Sequence, residues 1–323
     1  MPDTIVVLDP LSPDRLARLA SHAPEQFEVR AAASRDREDQ LSAARDAKFL
    51  ITADMPVDRE MMEVGRANAL VGVHKWGVGY DNIAVDAARD VGVRVLRTTG
   101  SNALPVAETA IALMLAMQRG IVAGHIGMQA GEWGKWTVGP NCFTLSGKTV
   151  GLIGLGYIGK NTARLLRMFQ CNVLYAKPNA LPPQEEQELG VKHAPVEQVI
   201  ATSDVLSLHC ALTPETANLI NAETIATMKD GALLVNTARG GIADEAAVAD
   251  ALTSGKLRGA AFDVFDVEPI KPDNPLLSAP NAIYTPHIAS QAADNYAPTV
   301  DRMMTNMATL LRGEEPPELD VVV

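Results

Sequence analysis

The run Val150-Gly-Leu-Ile-Gly-Leu-Gly-Tyr-Ile-Gly159 restricts the fold of this chain more than any other segment. Gly154, Gly156 and Gly159 come straight after a β-branched stretch and open a helical pattern. In that setting the first glycine makes a tight turn, the second lets the backbone approach a pyrophosphate, and the third allows close helix–strand packing. The pyrophosphate then lies at a helix N-terminus, where free N–H groups and the dipole favour negative charge. A bare G-x-G-x-x-G is weak, because glycine turns are common. Its strand-and-helix context makes this one a dinucleotide site on a parallel sheet.

The surrounding pattern agrees. Short β-branched runs alternate with helical segments along nearly the whole chain, which implies right-handed βαβ units. Before the glycine turn, strands are expected at 4–8, 49–52, 69–73 and 93–96, with helices at 14–20 and 58–67. Residues 103–119 are apolar nearly all round and predict a buried helix. After it, strands are expected at 149–153, 172–176, 205–209, 233–236, 260–264 and 282–285. Helices there are expected at 158–168, 196–202, 223–228 and 244–254, and a last amphipathic stretch at 289–311. At roughly 100–200 residues per domain, 323 residues predict two. The expectation is an α/β chain with two Rossmann-like, doubly wound parallel-sheet domains. Residues 1–100 and 290–323 would form a substrate or catalytic domain, and 101–289 a dinucleotide-binding domain inserted into it.

Composition removes several function classes. Lysine and arginine number 28 against 39 acids, a net charge of −11, which argues against phosphate-backbone binding and so against a nucleic-acid partner. Three scattered cysteines offer neither a disulfide framework nor a metal site, so no metal is expected and a reducing compartment fits. The N-terminus has no signal-peptide pattern. The most apolar run, 110–117, is far short of the roughly 18–20 residues that span a bilayer. The expectation is a soluble, cytoplasmic protein with a small-molecule substrate and no membrane partner.

The strand after the glycine turn should end in an acid that holds the adenosine ribose diol. Here Cys171-Asn-Val-Leu-Tyr-Ala-Lys-Pro178 ends in Lys177, and the next acid is Glu185. A lysine attracts a 2′-phosphate that an acid would repel, so the cofactor is NAD or NADP with a lean toward NADP. A solvent-facing Lys177, with NAD held by other contacts, is the competing reading. Farther along, Arg239, Glu268 and His287 each fall at or just past the carboxyl end of an expected strand, where doubly wound sheets collect their ligands. An arginine fork pairs with a carboxylate and polarises the neighbouring carbonyl. A histidine protonates the carbonyl oxygen as hydride arrives, and a glutamate beside it raises its pKa. Singly, each residue has an ordinary structural explanation; together behind a dinucleotide turn they read as catalytic.

The chain resembles the D-isomer-specific 2-hydroxyacid dehydrogenases, among them D-lactate, phosphoglycerate and glyoxylate/hydroxypyruvate enzymes. The resemblance rests on Trp76-Gly-Val-Gly-Tyr-Asp-Asn-Ile83, Pro105-Val-Ala-Glu108, the glycine turn, Leu212-Thr-Pro-Glu-Thr216 and the segments 236–241, 263–269 and 285–290. It implies reduction of a small 2-oxo acid to its D-2-hydroxy acid and the reverse, with Arg239, Glu268 and His287 catalytic and His287 the acid/base. It further implies a substrate carboxylate received by Gly77, Val78 and Gly79, and Asp263 at the nicotinamide carboxamide. Tyr157 and Ile158 would line the pyrophosphate turn, with Cys210, Thr237 and Ala238 as further cofactor contacts. A homodimer built through the segment after the buried helix is implied too, with Trp133 and Trp136 near the site. Lys75 reads as a solvated lysine, or as a reach toward a second anionic group. The alternatives are a nicotinamide-dependent corepressor-like binding module and a formate or phosphite dehydrogenase relative. The formate pattern carries glutamine where Glu268 stands, and the phosphite pattern lysine where Val78 stands.

Overall fold

The computed structural model describes residues 2–323. The chain divides into two compact units, one running up to Asn102 and resumed at Ala292–Val323, the other Ala103–Gln291. The first unit runs β1 (Asp3–Val7), α1 (Pro13–Ala20), β2 (Phe27–Ala31), α2 (Arg37–Asp46), β3 (Phe49–Thr52), α3 (Arg59–Arg66), β4 (Gly72–Lys75), α4 (Val85–Val91) and β5 (Arg94–Leu96). Its parallel five-stranded sheet has the order β2-β1-β3-β4-β5.

The second unit runs α5 (Ala103–Gln118), α6 (Ile121–Gln129), β6 (Thr149–Ile153), α7 (Tyr157–Met168), β7 (Asn172–Ala176), α8 (Pro183–Leu189), β8 (Val191–His193), α9 (Val196–Thr202) and β9 (Val205–Leu208). It continues with α10 (Ala222–Thr227), β10 (Ala232–Asn236), α11 (Glu245–Thr253), β11 (Leu257–Phe262) and β12 (Ala282–Tyr284). Its seven-stranded sheet, order β12-β11-β10-β9-β6-β7-β8, is also parallel. The order turns back between β6 and β9, which is where a doubly wound sheet opens its ligand crevice. Helix α12 (Tyr296–Leu311) belongs to the first unit.

Both sheets are covered on two faces, so their strands are apolar runs rather than alternating ones. In the first unit Leu19 of α1 and Val300, Met303, Met304 and Met307 of α12 pack on one face. Ala44, Met61, Met62, Ala87 and Ala88 of α2, α3 and α4 cover the other. In the second, Ala110, Ile111 and Met114 of α5 pack with Ala163 and Leu166 of α7, while Val199, Ile225 and Val248 of α9, α10 and α11 close the opposite side. Helix α5 is buried along much of its length because its apolar residues leave no polar face to turn outward. Helix α6 is equally apolar yet buries none of its residues. Among the described residues no single helix is long and apolar enough to cross a membrane.

Some expected elements shift. The third strand expected at 69–73 forms at Gly72–Lys75, because Leu70 is fully buried and its N–H still donates to Gly65 at the end of α3. The strand expected at 260–264 is Leu257–Phe262; just past it the Asp263 N–H still donates to the Asn236 carbonyl of β10, while its carboxylate serves a loop described below. The last helix begins at Tyr296 rather than 289: the N–H groups of Ile288 and Ala289 are taken by Asp263, and Pro298, which has no N–H to donate, suits only a first turn. Elements β2, α2, α4, α6, α8 and β8 are additions to the expected set.

Candidate active site

The glycine turn follows β6 directly, and its packing requires glycine at two of the three positions. Gly154 has φ +95°, and a Cβ there would lie 2.6 Å from the His209 carbonyl oxygen and 2.7 Å from the Cys210 nitrogen. A Cβ on Gly159 would meet the Gly154 carbonyl oxygen at 2.6 Å. A Cβ on Gly156, which caps α7 at its N-terminus, would meet nothing within 4 Å. That open space is what a pyrophosphate approaching the backbone needs. Tyr157 is exposed on the first turn of α7 and Ile158 half-buried beside it. Leu155, Gly156, Tyr157, Lys160 and Lys177 line a recess of about 280 Å³ next to the turn. Lys160 pairs with Glu185 at 2.5 Å, so the acid nearest to Lys177 in sequence is already engaged.

Two buried polar atoms at the carboxyl ends of neighbouring strands have no partner among the described residues: Thr237 Oγ1 after β10 and His209 Nδ1 after β9. His209 Nε2 lies 3.0 Å from Ser207 Oγ, and burial pushes the imidazole down to about 4. His209 was missed in the sequence; its only signal is its place at a strand end just before Cys210. Burial pushes the Cys210 thiol up to about 11, so it stays neutral. Half-buried Ala238 packs against the apolar core of the unit. The turn, the cradle at Gly156, the basic recess and the orphaned Thr237 and His209 atoms fit a dinucleotide.

The loops after β10, β11 and β12 carry Arg239, Glu268 and His287. Fully buried Asn236 ends β10 and clamps the first loop, donating to the Arg239 carbonyl at 2.8 Å and accepting from the Ala238 N–H at 3.0 Å. Arg239 itself is extended, with Nη1 donating to the Ala238 carbonyl at 2.7 Å. A Cβ on Gly240 would fall 1.9 Å from the Phe265 carbonyl carbon, so the first two loops pack backbone against backbone. Glu268 accepts the Phe265 N–H on Oε1 at 2.9 Å, and its Oε2 lies 2.6 Å from His287 Nδ1.

His287 has φ +51°, a left-handed conformation costing roughly 1–2 kcal/mol in a non-glycine residue. Asp263 holds it there. Its carbonyl accepts the His287 N–H at 2.8 Å. Its buried carboxylate accepts Thr285 Oγ1 at 2.6 Å and the amides of Ile288 and Ala289 at 2.9 Å. Three bonds on a carboxylate leave Oδ2 able to accept one more donor. The three loop groups also act on one another electrostatically. The hydrogen bond to Glu268 raises the His287 pKa against the opposing effects of burial and of Arg239. Burial works to raise Glu268, but the His287 and Phe265 hydrogen bonds and the positive charges of His287 and Arg239 hold it below the usual carboxylate value. With Nδ1 tied to Glu268, Nε2 is the imidazole nitrogen left to carry a proton to or from a ligand.

In the first unit, β4 leads into the Gly77–Val78–Gly79 loop. Gly77 has φ +131°, and its carbonyl accepts the Thr98 N–H at 3.2 Å. Among the described residues the amides of Val78 and Gly79 donate to nothing. Arg97 approaches the same loop, its guanidinium 5.1 Å over the Tyr80 ring. Lys75 differs from the expected solvated lysine: its ammonium donates to the Ala53 carbonyl and, at 2.9 Å, to Asn82 Oδ1. That commitment braces the loop.

The description D-isomer specific 2-hydroxyacid dehydrogenase, NAD binding domain, matches residues 111–289. D-3-phosphoglycerate dehydrogenase of Archaeoglobus fulgidus is 36% identical over 308 residues, 94% of this chain but 57% of that protein. The chain thus spans a little over half the length of this relative. Glyoxylate reductase of Korarchaeum cryptofilum is 37% identical over 278 residues, 85% of this chain and 82% of its own. Among solved structures, NAD-dependent formate dehydrogenase from Staphylococcus aureus in complex with NAD superposes with a TM-score of 0.87 at 27% identity, covering 99% of each chain.

Proposed function

Because the chain belongs to the D-isomer specific 2-hydroxyacid dehydrogenase family, we propose that it interconverts a small 2-oxo acid and its D-2-hydroxy acid with NADP(H) or NAD(H). The observation that carries this reading is the 2.6 Å bond between His287 Nδ1 and Glu268 Oε2, on loops adjoining the one that carries Arg239. A 2-oxo acid needs a cation for its carboxylate and a proton for its carbonyl oxygen, and these residues are of the types that supply both. Arg239 pairs with the carboxylate and polarises the carbonyl. His287, kept protonated by Glu268, gives its Nε2 proton to the carbonyl oxygen and takes it back in the reverse direction. The free amides of Val78 and Gly79 are suited to an anionic oxygen.

Bound at the glycine turn, the dinucleotide would supply or accept the hydride. Gly154, Gly156, Tyr157, Ile158 and Gly159 would hold its pyrophosphate. Thr237 Oγ1 and Asp263 Oδ2 offer polar contacts, and Cys210 and Ala238 apolar ones. Lys177 and Lys160 line the recess beside Gly156, which favours a 2′-phosphate and hence NADP. Exposed Ile121, Ile126, Met128, Trp133 and Trp136 form an apolar surface that a second copy would cover, giving a homodimer.

Formate oxidation is the second reading, given the superposition with a formate dehydrogenase. It removes hydride from formate without moving a proton, so it leaves the Glu268–His287 pair without a task. Oxidation of NADPH and of NADH, followed by absorbance against glyoxylate, hydroxypyruvate, pyruvate and phenylpyruvate, tests the proposal. Turnover with any of the four supports the dehydrogenase, and faster turnover with NADPH supports the role given to Lys177. Reduction of NAD(P)+ by formate alone, or cofactor-driven association without turnover, would replace it with the formate enzyme or the binding module.

A further inference from the structure

The seven-stranded sheet has a second polar concavity, at the opposite edge from the catalytic loops. Near the amino ends of β6, β9, β10 and β11, a recess of about 240 Å³ is lined by Gln118, Phe143, Lys148, Asp204, Lys229, Asp230 and Arg258. Its donors outnumber its acceptors. Gln118 is fully buried, and its Oε1 accepts from Arg258 Nη2 at 2.7 Å. That bond fixes the amide orientation, because the reverse would set two donors face to face. Gln118 Nε2 is then left buried with no acceptor among the described residues.

The cations are equally short of partners. The Arg258 guanidinium lies 4.4 Å over the Phe143 ring and Lys148 Nζ 5.8 Å from it, and neither has a carboxylate in ion-pair range among the described residues. Both neighbouring acids are taken. Asp204 accepts Lys229 Nζ at 2.9 Å and the Thr149 N–H at 2.8 Å, and Asp230 accepts Lys256 Nζ at 2.7 Å. Two cations without a carboxylate in ion-pair contact, one of them only partly balanced by the charge of Asp204, and a buried amide N–H line one recess, which suits a ligand rich in acceptors, since a buried donor without one carries an unrecovered desolvation cost.

We propose that this recess binds a phosphate group, with Arg258 and Lys148 supplying charge and Gln118 Nε2 a directed hydrogen bond. A tetrahedral oxyanion presents acceptors in several directions at once, which the planar carboxylate does not, and Arg258 is the side chain best shaped to pair with it. None of these residues belongs to the catalytic loops, so the site stands or falls independently of the proposed reaction.

Calorimetric titration of inorganic phosphate at constant ionic strength, with NADP+ present to occupy the glycine turn, tests it. One saturable site is expected for the unmodified protein. Arg258→Met should weaken it at least ten-fold and Lys148→Met several-fold, while Lys192→Met, an exposed lysine of β8, should leave it unchanged. The Lys148 side chain makes no hydrogen bond among the described residues, unlike Arg258, so Lys148→Met carries the test alone if Arg258→Met fails to fold. A phosphomonoester such as glycerol phosphate, binding as well as inorganic phosphate, would identify the source as a phosphorylated metabolite; its exclusion would identify free phosphate. No saturable heat, or equal affinity in both variants and the unmodified protein, overturns the proposal.

Discussion

His287 and His74 carry the same side chain at the ends of strands in different units, and their surroundings push them in opposite directions. His287 is part-exposed against Glu268, whose hydrogen bond raises its pKa. His74 is fully buried at the end of β4, and burial pushes it down to about 4. Its Nδ1 donates to the Lys75 carbonyl at 2.8 Å, and its Nε2 accepts from Asn306 at 3.3 Å. The acid in that second network, Asp320, is already bound by Arg302 on both oxygens at 2.7 Å and by Asn306 and the Thr99 N–H. A carboxylate in contact raises the pKa of one imidazole, and a carboxylate one residue removed leaves the other a neutral structural strut.

Removing each group in turn tests that contrast. The largest effect is expected for His287→Ala, which should lower turnover about 10²–10⁴-fold, the usual worth of a positioned acid/base, with cofactor affinity measured by fluorescence unchanged. Retention of the unmodified rate would remove His287 from the chemistry. Next is acid stability. His74 has a folded pKa near 4 against 6.5 for an unperturbed imidazole, so its contribution is complete above 6.5 and is lost as pH falls toward 4. That amounts to about 3 kcal/mol. Denaturant titrations at pH 7 and pH 4 should show this loss shrinking in His74→Gln; an undiminished loss would place the acid sensitivity elsewhere.

A smaller effect is expected for Glu268→Gln. In the proposed reaction reduction needs protonated His287, so its rate should fall as pH rises through the raised pKa. The amide should move that limb toward lower pH and slow reduction about ten-fold at neutral pH. A pH–rate profile unchanged in shape would deny Glu268 its influence on His287. The smallest is Lys177→Ala, expected to lower the ratio of NADPH to NADH turnover about five-fold if Lys177 meets a 2′-phosphate as proposed, the scale of one solvent-exposed ion pair. An unaltered ratio of kcat/KM values would return Lys177 to solvent.

The sequence made most strands readable because parallel, doubly covered strands must be continuous apolar runs: 49–52, 149–153 and 172–176 match Phe49–Thr52, Thr149–Ile153 and Asn172–Ala176. It hid elements that lack such a run. Edge strand β2 alternates buried and exposed residues in Phe-Glu-Val-Arg-Ala, and α8 opens on Pro183 and is mostly Gln and Glu, so each looks like loop. Helix α6 was hidden for the opposite reason. Its Ile121, Ile126 and Met128 are apolar without being buried, and Gly124 and Gly127, weak helix formers, break up its nine residues.

The sequence by itself determined the alternation of strands and helices and the glycine turn, because these depend on neighbouring residues and on sterics that act within a few positions. It also marked Arg239, Glu268 and His287, since each lies on the segment that follows a strand. Only the tertiary structure decided what holds such groups. The Asp263 clamp on the His287 loop spans 22 to 26 positions, Arg258 reaches Gln118 across 140, and His74 meets Asn306 across 232. Hydrogen bonds at these separations follow from which strands lie side by side and from burial that strips away competing water, and neither is written in any local pattern.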